Sequence, residues 1–429
     1  MKKKDIQSGV TATNPDEIRL GLSRMRKLLE VLGDPQEKLK IVHVAGTNGK
    51  GTVIAFLETV LRKDAKRKVG TYTTPAVFSP YEVLRVNGKN ITPSRLRKLT
   101  EEVDAVCATH FPKEDAPTPF ERLTAKAFLY FEREGADIVL LETGMGGDLD
   151  ATNAYEGGSQ LCAVLTSVGE DHMDFLGNTT EQIAMHKAGI FRGGRPVILG
   201  SAIPKDARAV VSAAAKALHC PVRDSRNVKP AIEDIPLKMA GAAAADNACC
   251  AYACLLVLRS MGFTIDDKQI RTGLSETVLP GRFEIVPIAK NRQKIVILDG
   301  AHNLPAAKSW ANNVKSAWKD YKKIVVCGIL KDKDYPAILR QIASIGPDSV
   351  YFGATRGKRG LPAVTLSEAF AKEEPSGQCK VFRFCSVKKA FTEAYAQAET
   401  EKGKVLLSVL GSFTTLEAVR KVVIPGTRK

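Results

Sequence analysis

The chain has 429 residues, of which 44% are hydrophobic and 26% charged, and its formal net charge is +16. That length exceeds a usual single core and calls for two domains, while no apolar run reaches the ~18 to 20 residues a membrane span needs. The charge is uneven: 25 Lys and Arg against 12 Asp and Glu fall in residues 286–429, and 38 against 35 precede them, so the later third would attract anions.

The opening "MKKKDIQSGV" is basic but has no apolar stretch behind it, so it does not read as a secretory signal, and a cytoplasmic address is expected. Nine cysteines without a C-x-x-C pair fit a reducing compartment. Cys249, Cys250 and Cys254 share one segment with no histidine to complete a metal shell, and are read as small buried helix residues. The basic runs "RKDAKRK" (62–68) and "TRGKRG" (355–360) lack interleaved aromatics and read as solvated faces, which disfavours a nucleic-acid partner.

In chain order, Asn14 is a candidate cap and Pro15 a first-turn residue for a helix whose apolar positions Ile18, Leu22, Met25, Leu29 and Leu32 recur until Gly33. "KIVHVAG", a helix over 50–62, "KVGTYT", helices from Pro93 and around "FERLTAKAFLYFE", "ADIVLLETG", "CAVLTSVG" and "RPVILG" then alternate. Continuous apolar strands separated by helices predict a largely parallel sheet covered on both faces, and Asn87-Gly88 predicts a hairpin that interrupts the series. After an Ala-rich helix around 241–260, "SETVLPGRFEIVP" changes the rhythm, and an inter-domain linker is placed there. Beyond it "KIVILDG", "KKIVVCGIL", "SVYFGAT", "KVFRF" and "KVLLSVLG" alternate with helices from Leu304, Tyr335 and Val387 and a final helix, predicting a second, smaller doubly wound domain.

Three stretches carry chemistry. In "HVAGTNGKGT" (43–52) the glycines let successive amides curl inward, Lys50 adds a charge, and the following helix presents its positive end; such a turn holds a phosphate. Gly46 and Gly49 enclose two residues where the common Walker spacing has four before Gly-Lys, and Thr52 supplies a hydroxyl for nucleotide-bound magnesium. In "LLETGMGGDLDATN" (140–153), Glu142 ends an apolar strand, where open sheets place ligands and a carboxylate can complete a magnesium shell. In "TSVGEDHMDFLGNTTEQIAMHKAGIF" (166–191), His172 follows a strand end and Lys187 lies on a helix.

Together with "FERLTAKAFLYF", "HKAGIF", "PGRFE", "LDGAHN" and "GSFTTLEAV", in that order over nearly the whole length, these stretches give a chain that resembles folylpolyglutamate synthase and bifunctional dihydrofolate synthase of the Mur ligase superfamily. The resemblance implies an N-terminal P-loop ATPase-like doubly wound domain of the Mur ligase type (1–281), a linker region (282–292) and a smaller C-terminal Rossmann-like α/β domain (293–429). It implies an ATP-dependent ligase that phosphorylates a carboxylate and joins it to L-glutamate, acting on folate, dihydropteroate or both, and a monomer is expected. By the matching motifs, Gly46, Thr47, Asn48, Gly49, Lys50, Gly51 and Thr52 would bind the nucleotide phosphates. Thr52 and Glu142 would hold one Mg2+, His172 would serve a second, and Lys187 would be carbamylated. Asn247 would meet adenine, Arg282 the terminal phosphates, Asp299 the ribose side and His302 the phosphate region. Thr74, Pro75, Phe120 and Glu121 fall in the substrate-binding motifs, and the active site is expected between the domains.

Three positions depart from the family pattern. Ala243 and Ala244 stand where His-Gln is usual, the loop Thr74–Ala76 reads "TPA" with only Arg85 ahead of "VNG", and Asp148 replaces a common arginine. The altered loop leaves open a ligase of the same superfamily with a non-folate acceptor, and the basic later third leaves open a nucleotide- and nucleic-acid-binding protein without ligase activity.

Overall fold

The computed structural model describes residues 19–170, 173–288, 291–357, 359–374 and 376–423. Asn14, Pro15 and Ile18 lie outside them; the first described helix is Ser23–Val31, with Met25, Leu28 and Leu29 buried. The chain divides into two units, one running to Lys238 and taking in Ala243–Thr277, the other holding Met239–Ala242 and everything from Val278.

The first unit is built on eight strands: β1 (Ile41–Ala45), β2 (Val69–Tyr72), β3 (Leu84–Val86), β4 (Lys89–Asn90), β5 (Ile138–Glu142), β6 (Gln160–Ser167), β7 (Val197–Ala202) and β8 (Val222–Asp224). They lie in the order β4-β3-β2-β5-β1-β6-β7-β8. Pairing is parallel except at β3, which runs antiparallel to β2 and β4. Asn87 and Gly88 make the predicted β3–β4 turn, with φ of 50° and 75°. β1 and β5 are buried along their whole length, as strands covered on both faces must be.

The sheet order places the site. From β1 the chain crosses to β2 on one side and later to β6 on the other, so β1 lies at a topological switch point with β5 and β6 as neighbours. The registers Val44↔Glu142 and Ala45↔Leu165 bring the three carboxyl ends level. A crevice for ligand follows from that order alone.

The second unit holds β9 (Glu284–Ile288), β10 (Asn291–Leu298), β11 (Lys322–Cys327), β12 (Ser349–Gly353), β13 (Lys380–Phe384) and β14 (Val405–Leu410), in the order β13-β12-β11-β14-β10-β9. All pair in parallel except β9, which is antiparallel to β10. Much of the stretch expected as a linker over 282–292 is therefore sheet. Pro287 sits on an edge strand, where no donor is needed on the outer side.

Helix Ala242–Ser260 is long and apolar enough to cross a membrane by length and composition. Ten of its residues are buried, Cys249, Cys250 and Cys254 among them, and Cys254 Sγ lies 3.6 Å from Cys162 Sγ. The three cysteines are packing residues of a buried helix, in line with the expected reading.

Candidate active site

The turn after β1 is held from behind by the end of β6. Thr47 N donates to Ser167 O (3.0 Å), Asn48 N to Ser167 Oγ (2.9 Å), and Thr166 Oγ1 to Asn48 O (2.6 Å). Gly46 has φ of 150°, and a Cβ there would stand 2.0 Å from Thr166 Oγ1, so no other residue fits without displacing β6. Gly49, with φ of 88°, would place a Cβ 2.3 Å from Asn247 Oδ1, which puts Asn247 against the turn. Helix Lys50–Leu61 starts immediately after Gly49 and directs its N-terminus at the crevice. Lys50 Nζ donates to Gly46 O (2.9 Å) and Thr47 O (3.4 Å), and so lies across the mouth of the turn. Thr52 is buried in the first turn of that helix.

From the neighbouring strand, Glu142 reaches the same place. It is 5% exposed, and its Oε2 lies 3.6 Å from where a Gly51 Cβ would be and accepts from Thr74 N (3.1 Å). The Thr74-Pro75 bond is cis. Behind the 74–76 loop, Arg85 donates to Thr73 Oγ1 (3.1 Å), Glu82 O (2.6 Å) and Glu58 Oε2 (3.2 Å), so the one base retained there is bound into the scaffold.

A small recess is lined by Gly46, Thr47, Lys50, Thr143, Gly144, Met145, Gly146 and Lys187. Lys187 enters it from helix Thr180–Ala188 and is 4% exposed. Two lysines in its wall and the N-terminus of helix Lys50–Leu61 beside it make it a place for anionic oxygens. Among the described residues no group of three or more His, Cys, Asp or Glu is arranged to hold a metal ion. The donor set on hand, Glu142 and the Thr52 hydroxyl, is nonetheless hard oxygen and suits magnesium completed by nucleotide oxygens. His172 lies outside the described residues.

Phe120 and Glu121 begin helix Pro119–Glu134. Phe120 packs over Tyr72 with ring centroids 6.4 Å apart, and its ring edge is where a Gly144 Cβ would fall. Glu121 is engaged elsewhere: its Oε2 accepts from Thr118 N (2.6 Å) in a capping box, and its Oε1 pairs with Arg24 (3.1 Å).

Beneath the glycine loop lies a network that the motifs did not disclose. Gln160 Nε2 donates to Tyr155 Oη (2.8 Å), leaving the phenol to donate to His43 Nδ1 (2.9 Å). The opposite ring nitrogen then carries the proton, donating to Thr152 Oγ1 (2.9 Å) and Thr143 Oγ1 (3.1 Å). The Thr152 hydroxyl donates a hydrogen bond to Oδ1 of Asp150, whose Oδ2 accepts from Met145 N (2.7 Å). Burial, aided by Arg192, lowers the His43 pKa to about 3, and burial raises that of Asp150. A neutral imidazole thus fixes Thr143 and, through Asp150, Met145, both of which line the recess.

In the second unit, Arg282, Asp299 and His302 gather at the carboxyl ends of β10 and β14 around Phe413. The Arg282 guanidinium lies 4.4 Å over the Phe413 ring, and the His302 ring centroid is 5.6 Å from it. Asp299 accepts from Ala301 N (2.8 Å) and Phe283 N (3.1 Å), and lost hydration raises its pKa to about 6 despite the nearby Arg282 charge. His302 Nδ1 donates to Gly300 O (2.7 Å), which sets its tautomer. Phe413 is the organising residue here; it stood in view in "GSFTTLEAV" without a role.

Residues 44–223 match the Mur ligase middle domain, and residues 281–413 the glutamate ligase domain of Mur ligases. The dihydrofolate synthase/folylpolyglutamate synthase of Bacillus subtilis is 32% identical over 91% of this chain and 94% of its own length. The chain belongs to the folylpolyglutamate/dihydrofolate synthase family. Another member, the Escherichia coli enzyme, is 32% identical over 95% of this chain and 92% of its own. Among solved structures of the family, E. coli FolC in complex with DHPP and ADP superimposes with a TM-score of 0.83 at 30% identity, covering 98% of this chain and 97% of that one. A bifunctional member with Mn, AMPPNP and L-glutamate bound gives 0.77 at 29%, over 94% of each chain.

Proposed function

We propose that this protein is an ATP-dependent ligase that adds L-glutamate to a folate, to dihydropteroate or to both. The observation that carries the reading is a recess at the switch point lined jointly by the Gly46–Lys50 turn, the Gly144–Gly146 loop and buried Lys187. An acceptor carboxylate oxygen attacks the γ-phosphorus of ATP, and the bond to the β-phosphate oxygen breaks to release ADP. The amine of glutamate then attacks the acyl carbon and loses a proton, and inorganic phosphate leaves as the amide forms. Phosphorylation is required because a carboxylate offers no leaving group.

Lys50 and the amides at the start of helix Lys50–Leu61 hold the phosphates and stabilise charge that grows on the bridging oxygen, while the Thr47 and Asn48 amides brace the turn against β6. Thr52 and Glu142 would hold one magnesium, with His172 serving a second; the ions would place positive charge between phosphate and carboxylate oxygens that otherwise repel. Carbon dioxide on Lys187 would convert a buried cation into an anion facing those ions. Asn247, Arg282, Asp299 and His302 are assigned to the nucleotide, and Thr74, Pro75 and Phe120 to the acceptor side. Glu121 serves the acceptor side indirectly, by anchoring the start of the helix that carries Phe120. We place the protein in the cytoplasm as a monomer.

Phosphate release is measured with ATP, magnesium and L-glutamate, plus either dihydropteroate or a reduced folate, with the product mass checked. Turnover with a gain of one glutamate is expected; absence of release with both pterins refutes the reading. The "TPA" loop and the bound Arg85 favour one second reading, the same chemistry on a non-pterin acid. Turnover confined to such an acid in the same assay would establish it.

A further inference from the structure

Asp148, the acid where the family pattern has a base, has a partner: His186 Nδ1 lies 3.0 Å from its Oδ1 and 2.9 Å from its Oδ2. Its own amide donates to His186 O (2.9 Å). The approach of this segment to helix Thr180–Ala188 is close enough that a Cβ on Gly147 would stand 2.6 Å from His186 O, and one on Gly189 2.3 Å from Asp148 Cβ. Asn153 Nδ2 bridges the two sides by donating to Asp148 O (3.0 Å) and Gly189 O (3.1 Å). These contacts converge on the turn that carries Lys187.

Adjacent residues on a helix point about 100° apart. His186 faces outward, 32% exposed in its side chain, while Lys187 faces the recess. A pair this exposed adds little to stability. Its effect is geometric: it ties the last helical turn to the loop whose neighbouring residues, Gly144 to Gly146, line the recess with Lys187. Arginine at 148 would set a second donor against the imidazole N–H and would need an acid at 186.

We propose that Asp148 is a positioning residue for Lys187, acting through His186 to hold the lysine in the phosphate recess. The inference rests on the ligase reading. In the full-length protein, D148A and H186A should each lower kcat about 10- to 100-fold with little change in acceptor KM or thermal midpoint, the cost typical of groups that orient a metal-site residue. The double variant D148A/H186A should lose no more than either single one, because the clasp breaks once. D148R should lose more than D148A, and D148R/H186E, which inverts the pair, should recover most of that loss. A D148A enzyme with wild-type kcat overturns the proposal, as do additive losses that follow a falling thermal midpoint. Inactivity of the wild type in the assay above refutes the ligase reading itself, whereas an active wild type indifferent to D148A refutes only the clasp.

Discussion

Acidification should weaken the first unit through His43 in a way that substitution at this one position removes. The imidazole is fully buried, donates and accepts within a closed network, and has its pKa lowered from 6.5 to about 3. The unfolded chain therefore binds the proton first. The stability contributed by the neutral ring is complete above pH 6.5 and is lost progressively as the pH falls from there toward 3. At about 1.4 kcal/mol per unit, acidification from pH 7 to pH 5 should remove about 2 kcal/mol. Urea unfolding followed by circular dichroism at both pH values, on wild type and H43Q, isolates the effect, because other titrating groups are shared. The wild type should lose about 2 kcal/mol more than H43Q over this interval. Parallel losses in the two proteins would mean that the native ring takes up its proton normally, and the network as described would be refuted.

Three further outcomes follow from the site. E142Q should retain the hydrogen bond from Thr74 N and the fold, yet reduce phosphoryl transfer about 10³-fold, read as phosphate release against magnesium concentration; a near-normal rate would remove Glu142 from the metal assignment. G46A should drive its methyl group into Thr166 Oγ1 and lower stability by about 1 to 3 kcal/mol, with nucleotide affinity falling alongside, as thermal unfolding with and without ATP would register; an unchanged midpoint would contradict the packing described. R85A should leave buried Glu58 without its cation and loosen the 73–79 loop, raising acceptor KM several-fold with ATP KM unchanged; equal changes in both would contradict that localisation.

The parts legible in the sequence were those set by local rules. Asn87-Gly88 announced its hairpin because both residues accept positive φ, and Glu142 announced its place because a strand end in a parallel sheet faces the ligand side. The phosphate turn needed only a strand, three glycines and a lysine. Tertiary pairing concealed the rest. His43 inside "KIVHVAG" could be a filler on an apolar strand until Tyr155 and Thr152, more than a hundred residues away, close on it. Asp148 had no meaning until His186 stood opposite. Glu121 was different, since Thr118 three positions earlier spells a capping box, and the signal for its structural use was already in the sequence. The edge strand containing Pro287 was missed because a proline's tolerance depends on which neighbour the strand lacks.

The amide of Thr74 rests on the same carboxylate that faces the phosphate helix. Under the metal role proposed for Glu142, one side chain therefore answers to two masters: an acceptor that displaced the 74–76 loop would also turn Glu142, and with it the grip on a divalent ion. Changes in that loop should consequently alter the metal requirement as well as the choice of acid, and evolution toward a new acceptor would have to retune both at once.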